Sequence, residues 1–498
     1  MSFFKAYDMR GTFGVDFDLD TVYKVGRALP QVIQKANRAK DAKTTDGALR
    51  ILVGRDCRTT SEAVRDALVR GLREAGADVT DLGLCTTPMV YFFTAEDGYD
   101  GSVMITASHN PPSDNGLKVS MRGALPVGYA NGLGEVERLV KESTPSDPNA
   151  SLTFRDARKG EALAKPSVSS EFSRYLEWMK ARLPSASNSR FSSLRFAVDC
   201  SNGMASLLVH ELFPNAVVIN DTLDGTFPNH SPNPLKDEAR EQIAVLVRKQ
   251  KLDCGVIFDG DADRCMFVDE TGAFVQPDYL IPIVARATIK NGKAVSRPLV
   301  GESAIPSCAS LTSDQEIASP LRVIHDVRTS RGAIEELRRA GCEPLMVPVG
   351  HAFAKPALRE SGAVCGGELA GHYYFREFHC CDSGVLAALR ILGEIAKAKS
   401  EGKTFSEMMR PICGAYANSG EINFKVEDKD AAIGRVLAAA KASLPAEVSR
   451  SEIDGIRLEY EEGWVNVRKS NTEPYLRLIV ERRGDVGEWV DLFKAAIG

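Results

Sequence analysis

The sequence predicts an α/β fold, with three related α/β domains and a smaller, dissimilar α+β domain at the C-terminal end. The length of 498 residues corresponds to three or four domains of about 150 residues each. Three apolar segments open with the same Leu-Arg pair, at Leu49, Leu194 and Leu321, and continue with strand-forming residues. From Ile453 to Val480, by contrast, apolar and polar residues alternate as they do in half-buried antiparallel strands.

The first and third of these segments predict strand, helix, strand units. Each leads into a helical pattern that stops at a glycine before a new strand, in "LREAGADV" (72–79) and "LRRAGCEP" (337–344). Thr59 and Glu62 have the spacing of a capping box, which predicts that the first of these helices begins there.

The remainder of the chain supplies the domain boundaries. Residues 144–170 are rich in Ser, Pro and charge, which indicates a linker. A second capping box, Thr404 with Glu407, predicts the first helix of the last domain. The predicted domains are residues 1–160, 161–272, 273–397 and 398–498.

Composition excludes several classes of protein. Lys and Arg number 62 and Asp and Glu 67, so the net charge is −5 and no basic surface for nucleic acid is expected. The best candidate for a membrane span, Tyr279–Ile289, is interrupted by Pro282 and Arg286. Charged residues within the first ten positions leave no apolar core for a secretory signal peptide. With eleven cysteines and no CxxC pair, we expect reduced thiols and a cytoplasmic protein.

The segment "TASHNPPSDNGLKV" (106–119) follows a strand-like run and must turn sharply. Ligands of open α/β sheets bind just beyond the carboxyl ends of strands. Ser108 is therefore a candidate nucleophile or phosphoryl carrier, with His109 and Lys118 close enough in sequence to serve the same oxygen atoms. A polar surface turn without a catalytic role is the alternative.

The segment "GVIFDGDADR" (255–264) runs from an apolar strand into Asp259, Asp261 and Asp263. Three carboxylates held so close repel one another unless a cation neutralises them, and oxygen ligands suit Mg²⁺. A solvated acidic turn is the alternative without a ligand.

Two other chemical interpretations of these aspartates remain open. The three aspartates and Glu270 occupy EF-hand positions, but Arg264 stands where that loop needs glycine and the flanks are strand-like. In an aspartyl-phosphate enzyme Asp259 would be the nucleophile, although Asp263 is then atypical.

Two further polar turns have residue types suited to a sugar phosphate. In "GGELAGHYYF" (366–375), Glu368 can accept hydrogen bonds from vicinal hydroxyls and His372 can move a proton. In "VRKSNTEPYLRLIVE" (467–481), guanidinium groups, hydroxyls and turn amides can all donate to a phosphate. Each pattern alone is equally compatible with a structural turn. The candidate phosphate ligands are Arg468, Ser470, Asn471, Thr472 and Arg477.

Taken together, "TASHNP", "DGDADR", "GELAGH" and "RKSNTEP" resemble, in the same order, the four loops of the α-D-phosphohexomutase superfamily, most closely its phosphomannomutase/phosphoglucomutase branch. Segments such as "VDCSNG" (198–203) and "VGHAF" (349–353) extend the resemblance over nearly the whole chain. It implies three related mixed-sheet α/β domains plus a smaller α+β C-terminal domain around a central cleft. It also implies a mutase that interconverts hexose 1-phosphates and 6-phosphates, foremost mannose phosphates and secondly glucose phosphates.

The resemblance implies a role for each site residue. Ser108 carries a phosphoryl group and, with Asp259, Asp261 and Asp263, holds Mg²⁺, while a hexose 1,6-bisphosphate serves as intermediate and activator. Arg10, Arg264 and Lys118 lie near the phosphoserine, and His109, Lys118 or His372 is the general acid or base. The implied substrate-binding residues are Arg328, His351, Glu368, Ala370, Arg468, Ser470, Asn471, Thr472 and Arg477.

Three departures from the family pattern bear on these expectations. Ala370 replaces a serine of the sugar loop, and Arg328 stands where lysine is common. Ala262 replaces a glycine of the metal loop, which is a small change only if its φ is negative. The alternatives are a phosphoglucosamine mutase and a non-catalytic sugar-phosphate-binding paralogue. The expected partners are small sugar phosphates, without nucleic acid or membrane, and the expected assembly is a monomer or homodimer.

Overall fold

The computed structural model describes residues 3–40, 47–143, 170–183, 193–292, 320–470 and 474–498. The described chain folds into three mixed-sheet α/β domains and a fourth, C-terminal domain, which confirms the predicted fold class. The domain boundaries given above stay predictions. Within the described residues, no helix has both the length and the apolar character needed to cross a membrane.

The first sheet has the strand order β1-β5-β4-β2-β3, with β6 beside β5. Strand β2 is parallel to β3 and β4, whereas β5 is antiparallel to β4 and β1. Its elements are β1 (Met9–Thr12), α1 (Leu19–Lys40), β2 (Arg50–Arg55), α2 (Ser61–Glu74), β3 (Asp78–Leu84), α3 (Thr87–Glu96), β4 (Gly101–Ile105), β5 (Asp114–Met121), β6 (Leu125–Pro126) and α4 (Leu133–Glu142).

The second sheet has the order β11-β10-β9-β7-β8, again with a parallel part (β8, β7, β9) and an antiparallel part. Its domain comprises α5 (Ser170–Lys180), β7 (Phe196–Asp199), α6 (Val209–Leu212), β8 (Val217–Ile219), α7 (Asp237–Gln250), β9 (Cys254–Phe258), β10 (Cys265–Asp269) and β11 (Phe274–Val275).

The third sheet repeats this plan in the order β13-β12-β14-β15-β16, where β12 is parallel to β13 and β14, and β15 is antiparallel. The elements are α8 (Ile281–Gly292), β12 (Leu321–Asp326), α9 (Arg331–Arg339), β13 (Cys342–Val347), α10 (His351–Ser361), β14 (Cys365–Gly367), β15 (Tyr373–Phe375), β16 (Cys381–Asp382), α11 (Gly384–Ser400) and α12 (Phe405–Cys413).

The fourth sheet is antiparallel throughout, in the order β17-β22-β21-β20-β19 with β18 also paired to β22, as the alternating pattern predicted. Its elements are β17 (Ala417–Asn418), β18 (Ile422–Phe424), α13 (Lys429–Ser443), β19 (Ser449–Ser451), β20 (Ile456–Glu459), β21 (Gly463–Lys469), β22 (Leu476–Arg482) and α14 (Gly487–Ile497). Short 3₁₀ helices cover Arg122–Ala124, Tyr129–Asn131, Met204–Leu207, Pro277–Leu280 and Arg376–Phe378.

The two predicted capping boxes have different outcomes. Thr404 and Glu407 cap α12 reciprocally, as predicted, although Phe405 and Met409 of this helix pack in the apolar cluster of the first three domains and not in that of the fourth. The box at Thr59 and Glu62 is wrong: α2 begins at Ser61, and Thr60 is the N-cap without a side-chain cap. The hydroxyl of Thr60 instead accepts a hydrogen bond from the side-chain amide of Asn115 on β5, at 2.8 Å.

The apolar core is shared among the first three domains but not with the fourth. One cluster of buried side chains runs from Met104 on β4 through Phe258 on β9 to Leu389 on α11. The fourth domain has its own cluster, in which Val467 and Phe493 are buried. The first three domains are therefore packed into one body, on which the fourth domain docks through polar contacts described below.

Candidate functional site

Three of the four predicted loops occupy the same position in three different sheets. The serine loop (106–113) joins β4 to β5, the acidic loop (259–264) joins β9 to β10, and the glycine loop (368–372) joins β14 to β15. In each sheet this is the carboxyl end of the strand at which parallel pairing changes to antiparallel pairing. Ligands of open α/β sheets bind in the crevice outside the carboxyl ends of the strands.

The serine loop presents Ser108 in a strained conformation. Its φ is 51°, in the left-handed region that residues other than glycine rarely adopt. Ser108 is 1% exposed, and its Oγ donates to Oδ2 of Asp259 at 2.8 Å and lies 3.2 Å from Nδ1 of His109. The conformation thus directs the hydroxyl from the first domain into the acidic loop of the second.

A buried arginine that the sequence analysis missed holds the serine loop in place. The guanidinium of Arg58 donates to four carbonyl oxygens of this segment, at 2.6 to 2.9 Å; they belong to Ser108, Asn110, Pro111 and Asp114. Asp56 accepts from Nε of Arg58 at 3.2 Å. Because both side chains are almost completely buried, the loop is fixed by a paired internal cation. The polar run "RDCRT" directly after β2 is the sequence signal that points to Arg58.

The acidic loop gathers three buried carboxylates. Asp259, Asp261 and Asp263 are at most 1% exposed, and one ligand oxygen from each lies within 4.8 Å of the others. Lys118 Nζ donates to Oδ2 of Asp261 at 2.7 Å and to Oδ2 of Asp263 at 2.5 Å. Thr87, another residue that the sequence analysis missed, donates to Asp261 at 2.5 Å.

The donor set fits a small divalent cation. Oδ1 of Asp261 is buried and has no hydrogen-bond partner among the described residues, which is costly for a carboxylate oxygen unless a cation binds it. All the candidate ligand atoms are oxygens, which are the ligands that Mg²⁺ prefers. The EF-hand interpretation is wrong, because strands flank the loop and Glu270 accepts hydrogen bonds from Ser406.

Charge repulsion inside the acidic loop is visible in its pKa shifts. Burial and the neighbouring Asp263 and Asp261 raise the pKa of Asp259 well above its usual value. Although burial alone favours the neutral amine, Asp261 and Asp263 raise the pKa of Lys118. A divalent cation among the aspartates removes the repulsion that Lys118 otherwise balances.

The glycine loop brings Glu368 and His372 against the acidic loop. His372 Nδ1 lies 3.2 Å from Oε2 of Glu368, and its Nε2 lies 3.4 Å from Oδ1 of Asp263. Oε1 of Glu368 accepts from the hydroxyl of Tyr374 at 2.7 Å. The two loops also form an isolated β-bridge between Arg264 and His372, so they are joined through the backbone as well.

The site histidines differ in charge. Burial, together with Arg264 and Arg10, lowers the pKa of His109 well below its usual value. Burial and Lys355 do the same for His351, whose ring centroid lies 6.4 Å from that of His372. His372 is the opposite case: burial and Arg264 oppose protonation, but Asp263 and Glu368 raise its pKa to about 9. His109 and His351 are thus neutral at pH 7, whereas Asp263 and Glu368 favour the protonated form of His372 and Arg264, whose Nε lies 3.1 Å from its Nε2, opposes it.

An arginine cluster lies beyond the glycine loop. Arg328, Arg468 and Arg477 all face the carboxylate of Glu421, at 3.5, 2.8 and 2.8 Å. Asp326 connects this cluster to the glycine loop, because its Oδ2 accepts from Nη2 of Arg328 at 2.6 Å and from the amide of Leu369 at 3.1 Å. The sequence analysis missed both acids. Asp326 ends a predicted strand, but no local pattern distinguishes Glu421.

The remaining predicted residues are placed as follows. Arg10 donates to Asp8 at 2.6 Å and to Asn110 of the serine loop at 3.1 Å. Ser470 closes the β21 to β22 turn, since its amide donates to the carbonyl of Tyr475 at 2.9 Å. Ala370 is half-buried within the glycine loop. The predictions for Asn471 and Thr472 lie outside the described residues.

Ala262 does not have the negative φ that would make its replacement of glycine a small change. Its φ is 61°, in the left-handed region, so the condition of a negative φ is not met. Glycine adopts this conformation without a steric penalty, whereas alanine is strained there. Its methyl group is fully buried.

Comparisons with known proteins cover the whole arrangement. Phosphoglucomutase/phosphomannomutase family models match in order: alpha/beta/alpha domain I at residues 1–145, domain II at 173–272, domain III at 277–416 and the C-terminal domain at 421–496. A phosphomannomutase of Escherichia coli is 34% identical over 493 residues, which cover 97% of this chain and 95% of that protein. Phosphohexose mutases of Xanthomonas campestris pv. campestris are 34% identical over 486 residues, with the same coverage. The crystal structure of a phosphoglucomutase/phosphomannomutase family protein from Burkholderia thailandensis superimposes with a TM-score of 0.74 at 27% identity, covering 99% of this chain and 96% of that one.

Proposed function

This chain belongs to the phosphoglucomutase/phosphomannomutase family, which makes it a hexose-phosphate mutase, and we propose that mannose 1-phosphate and mannose 6-phosphate are its main substrates. Glucose phosphates are the second proposed class. The preference for mannose is supported by relatives such as the phosphomannomutases of Escherichia coli and Vibrio cholerae.

The proposed phosphoryl carrier is Ser108, and the observation that carries the assignment is its hydroxyl 2.8 Å from Asp259. In the first half-reaction the bond between phosphorus and Oγ of phosphorylated Ser108 breaks and a bond to O6 of a hexose 1-phosphate forms. The O6 proton passes to a base of the site, for which His109, Lys118 and His372 are the candidates. The resulting hexose 1,6-bisphosphate reverses its orientation in the site and returns its 1-phosphate to Ser108.

Asp259, Asp261, Asp263 and Ser108 are the proposed ligands of Mg²⁺. When bound there, the ion neutralises charge on the transferring phosphoryl group. The residues of this chain do the rest. Lys118 and Arg264 add positive charge beside the acidic loop, and Arg10 approaches the serine loop from β1. Nδ1 of His109, at 3.2 Å, is the ring nitrogen nearest to the departing Oγ.

The far side of the cleft holds the substrate in either orientation. Glu368 and His351 are proposed to contact the sugar, and Ala370 lines the same loop without offering a hydrogen bond. Arg328 and the β21 to β22 turn, with Arg468, Ser470, Asn471, Thr472 and Arg477, are proposed to bind the phosphate that is not reacting. Guanidinium groups suit this role because they bind phosphate through paired hydrogen bonds.

The deciding experiment compares kcat/KM for the 1-phosphates of mannose, glucose and glucosamine, each with Mg²⁺ and a catalytic amount of the matching 1,6-bisphosphate. We expect the highest value with mannose and loss of turnover in Ser108→Ala. An unchanged rate in Ser108→Ala would refute the mechanism. A preference for glucosamine would favour a phosphoglucosamine mutase, and no turnover at all would favour a non-catalytic paralogue.

The alternative nucleophile, Asp259, is tested by the stability of the phosphoenzyme. An acyl phosphate is cleaved by hydroxylamine and a phosphoserine is not. We expect the radiolabelled phosphoenzyme to survive hydroxylamine, and a labile label would transfer the assignment to Asp259.

Assembly and location are part of the same proposal. We expect a monomer or homodimer, binding to neither nucleic acid nor membrane, in the cytoplasm. The free thiols of the described cysteines, of which Cys413 is exposed, are consistent with a reducing compartment.

A further inference from the structure

Two arginines of the fourth domain stand directly opposite each other. Arg468 on β21 pairs with Arg477 on β22 in the antiparallel register. Like charges in such cross-strand pairs repel each other. Both side chains are largely buried, Arg468 at 2% exposure and Arg477 at 16%. The sheet alone therefore does not account for the stability of this pair.

Among the described residues, the carboxylate of Glu421 lies between them. Oε2 of Glu421 accepts from Nη2 of Arg468 at 2.8 Å, and Oε1 lies 2.8 Å from Nη1 of Arg477. Glu421 reaches this position because residues 419–421 form a bulge where the chain passes from β17 to β18 along the same strand, β22. Gly420, with a φ of 66°, makes the turn.

The third arginine comes from the other side of the domain junction. Nη1 of Arg328 lies 3.5 Å from Oε2 of Glu421, and its Nε and Nη2 contact Asp326. Among the described side chains in direct contact, three guanidinium groups and the carboxylates of Asp326 and Glu421 give the cluster a net charge of +1. Without Glu421 the charge is +2, which matches a phosphate dianion.

We propose that the carboxylate of Glu421 competes with phosphate for Arg328, Arg468 and Arg477. It holds the three arginines together when phosphate is absent, and it lowers their affinity for phosphate. This inference rests on the proposed function, since it concerns the same non-reacting phosphate. A carboxylate that occupies the arginine donors must be displaced, or must share them, when a phosphate binds.

Weaker phosphate binding is useful because of the order of the reaction steps. A bisphosphate that exchanges its two ends has to leave the cluster and return to it within one turnover. Binding the ground state more tightly does not accelerate the chemical step. Glu421 lowers the energy of the phosphate-free cluster, so it favours release of the phosphate between the two half-reactions.

The experiment measures binding of inorganic phosphate to the Mg²⁺-loaded enzyme by calorimetry. We expect Glu421→Gln to bind phosphate at least about tenfold more tightly than the wild type, the scale of close charge pairs at binding sites. The matched control is Glu394→Gln, a carboxylate at 10% exposure that pairs with Arg286 and Lys290 outside the cluster. The control should bind phosphate as the wild type does.

A double variant separates competition from general loosening. If Glu421 acts through the arginines, its substitution has a smaller effect on phosphate affinity in an Arg468→Gln background, where only Arg328 and Arg477 still contact it. In turnover, Glu421→Gln should lower KM and also lower kcat, because release becomes slower. Unchanged or weaker phosphate binding in a folded Glu421→Gln would overturn the inference and indicate a purely structural link. Absence of mutase turnover in the wild type, by contrast, would overturn the proposed function.

Discussion

Oγ of Ser108 and Oδ2 of Asp259 are 2.8 Å apart although 151 positions separate them in the chain. The contact forms because β4 and β9 end at equivalent points of two sheets, and because the backbone of Gly260 passes close beneath the serine. A Cβ atom added to Gly260 would lie 2.5 Å from the carbonyl oxygen of Ser108. Four predictions follow from this and related contacts.

The first prediction concerns the metal. Asp261→Asn removes the charge of a proposed Mg²⁺ ligand and of one partner of Lys118. We expect the Mg²⁺ concentration for half-maximal activity to rise at least about tenfold, because losing one ligand or its support costs that much in metal sites. EDTA should abolish activity in the wild type, and added Mg²⁺ should restore it. Asp237→Asn, at an exposed position on α7, is the control and should leave the Mg²⁺ response unchanged.

The second prediction concerns Arg58. Arg58→Met removes three hydrogen bonds to the serine loop and one to Asp114, and it leaves Asp56 buried without its cationic partner. Breaking a buried pair in this way costs about 3 to 5 kcal/mol of unfolding free energy. Urea denaturation measures the loss, and faster amide exchange at residues 106–116 reports the loosened loop. Arg138→Met, which breaks exposed ion pairs on α4, should change neither measurement.

The third prediction concerns the contact between the third and fourth domains. Arg457 donates to the carbonyl oxygens of Val327 and Thr329, at 2.5 and 3.0 Å, on either side of Arg328. Its guanidinium also stacks 3.7 Å from the ring of Trp464. In Arg457→Met we expect Arg328 to lose its fixed orientation, so that KM for the sugar phosphate rises about tenfold, as for loss of one charged hydrogen bond. A KM equal to that of the wild type would contradict this.

The fourth prediction concerns the pH dependence of stability. Burial raises the pKa of Asp278 from 3.8 to about 7. The folded state therefore keeps a proton that the unfolded state has already lost, so stability is highest below pH 4 for this group. The contribution of Asp278 to the unfolding free energy declines as the pH rises to about 7. Above that pH it stays about 4 kcal/mol below its value at pH 4.

Asp278→Asn removes this titration. As the pH rises from 5 to 8, the unfolding free energy of the wild type should fall relative to that of the variant. Urea denaturation at both pH values measures it. An equal difference at the two values would show that Asp278 does not titrate in this range.

The sequence was most informative where function places polar residues directly after a strand. Ser108 and Asp259 each follow an apolar run, so their position at a strand end was predictable from pattern alone, whereas Glu368 was predicted only as part of a glycine-rich turn. The alternating C-terminal segment likewise predicted its antiparallel sheet. In these cases the local pattern and the tertiary environment impose the same residue types.

Long-range contacts were not predictable in this way. Glu421 acts through arginines that lie up to 93 positions away, and no periodicity reports which charges a bulge will bring together. The backbone angle of Ala262 was also hidden, because alanine is compatible in sequence with either sign of φ. The capping box predicted at Thr59 and Glu62 shows the same limit, because α2 begins at Ser61 and the hydroxyl of its N-cap, Thr60, accepts a hydrogen bond from Asn115, 55 positions away.

The separate core of the fourth domain has a consequence for cooperativity. Because its apolar cluster is not continuous with that of the first three domains, tilting it need not open either core, although it breaks junction contacts such as those of Arg457 and Glu481. Local opening there requires less free energy than global unfolding. The serine loop and the acidic loop are anchored in the shared core, whereas Arg468 and Arg477 belong to the fourth domain, so we expect an opening of that domain to admit a substrate without disturbing the geometry at Ser108.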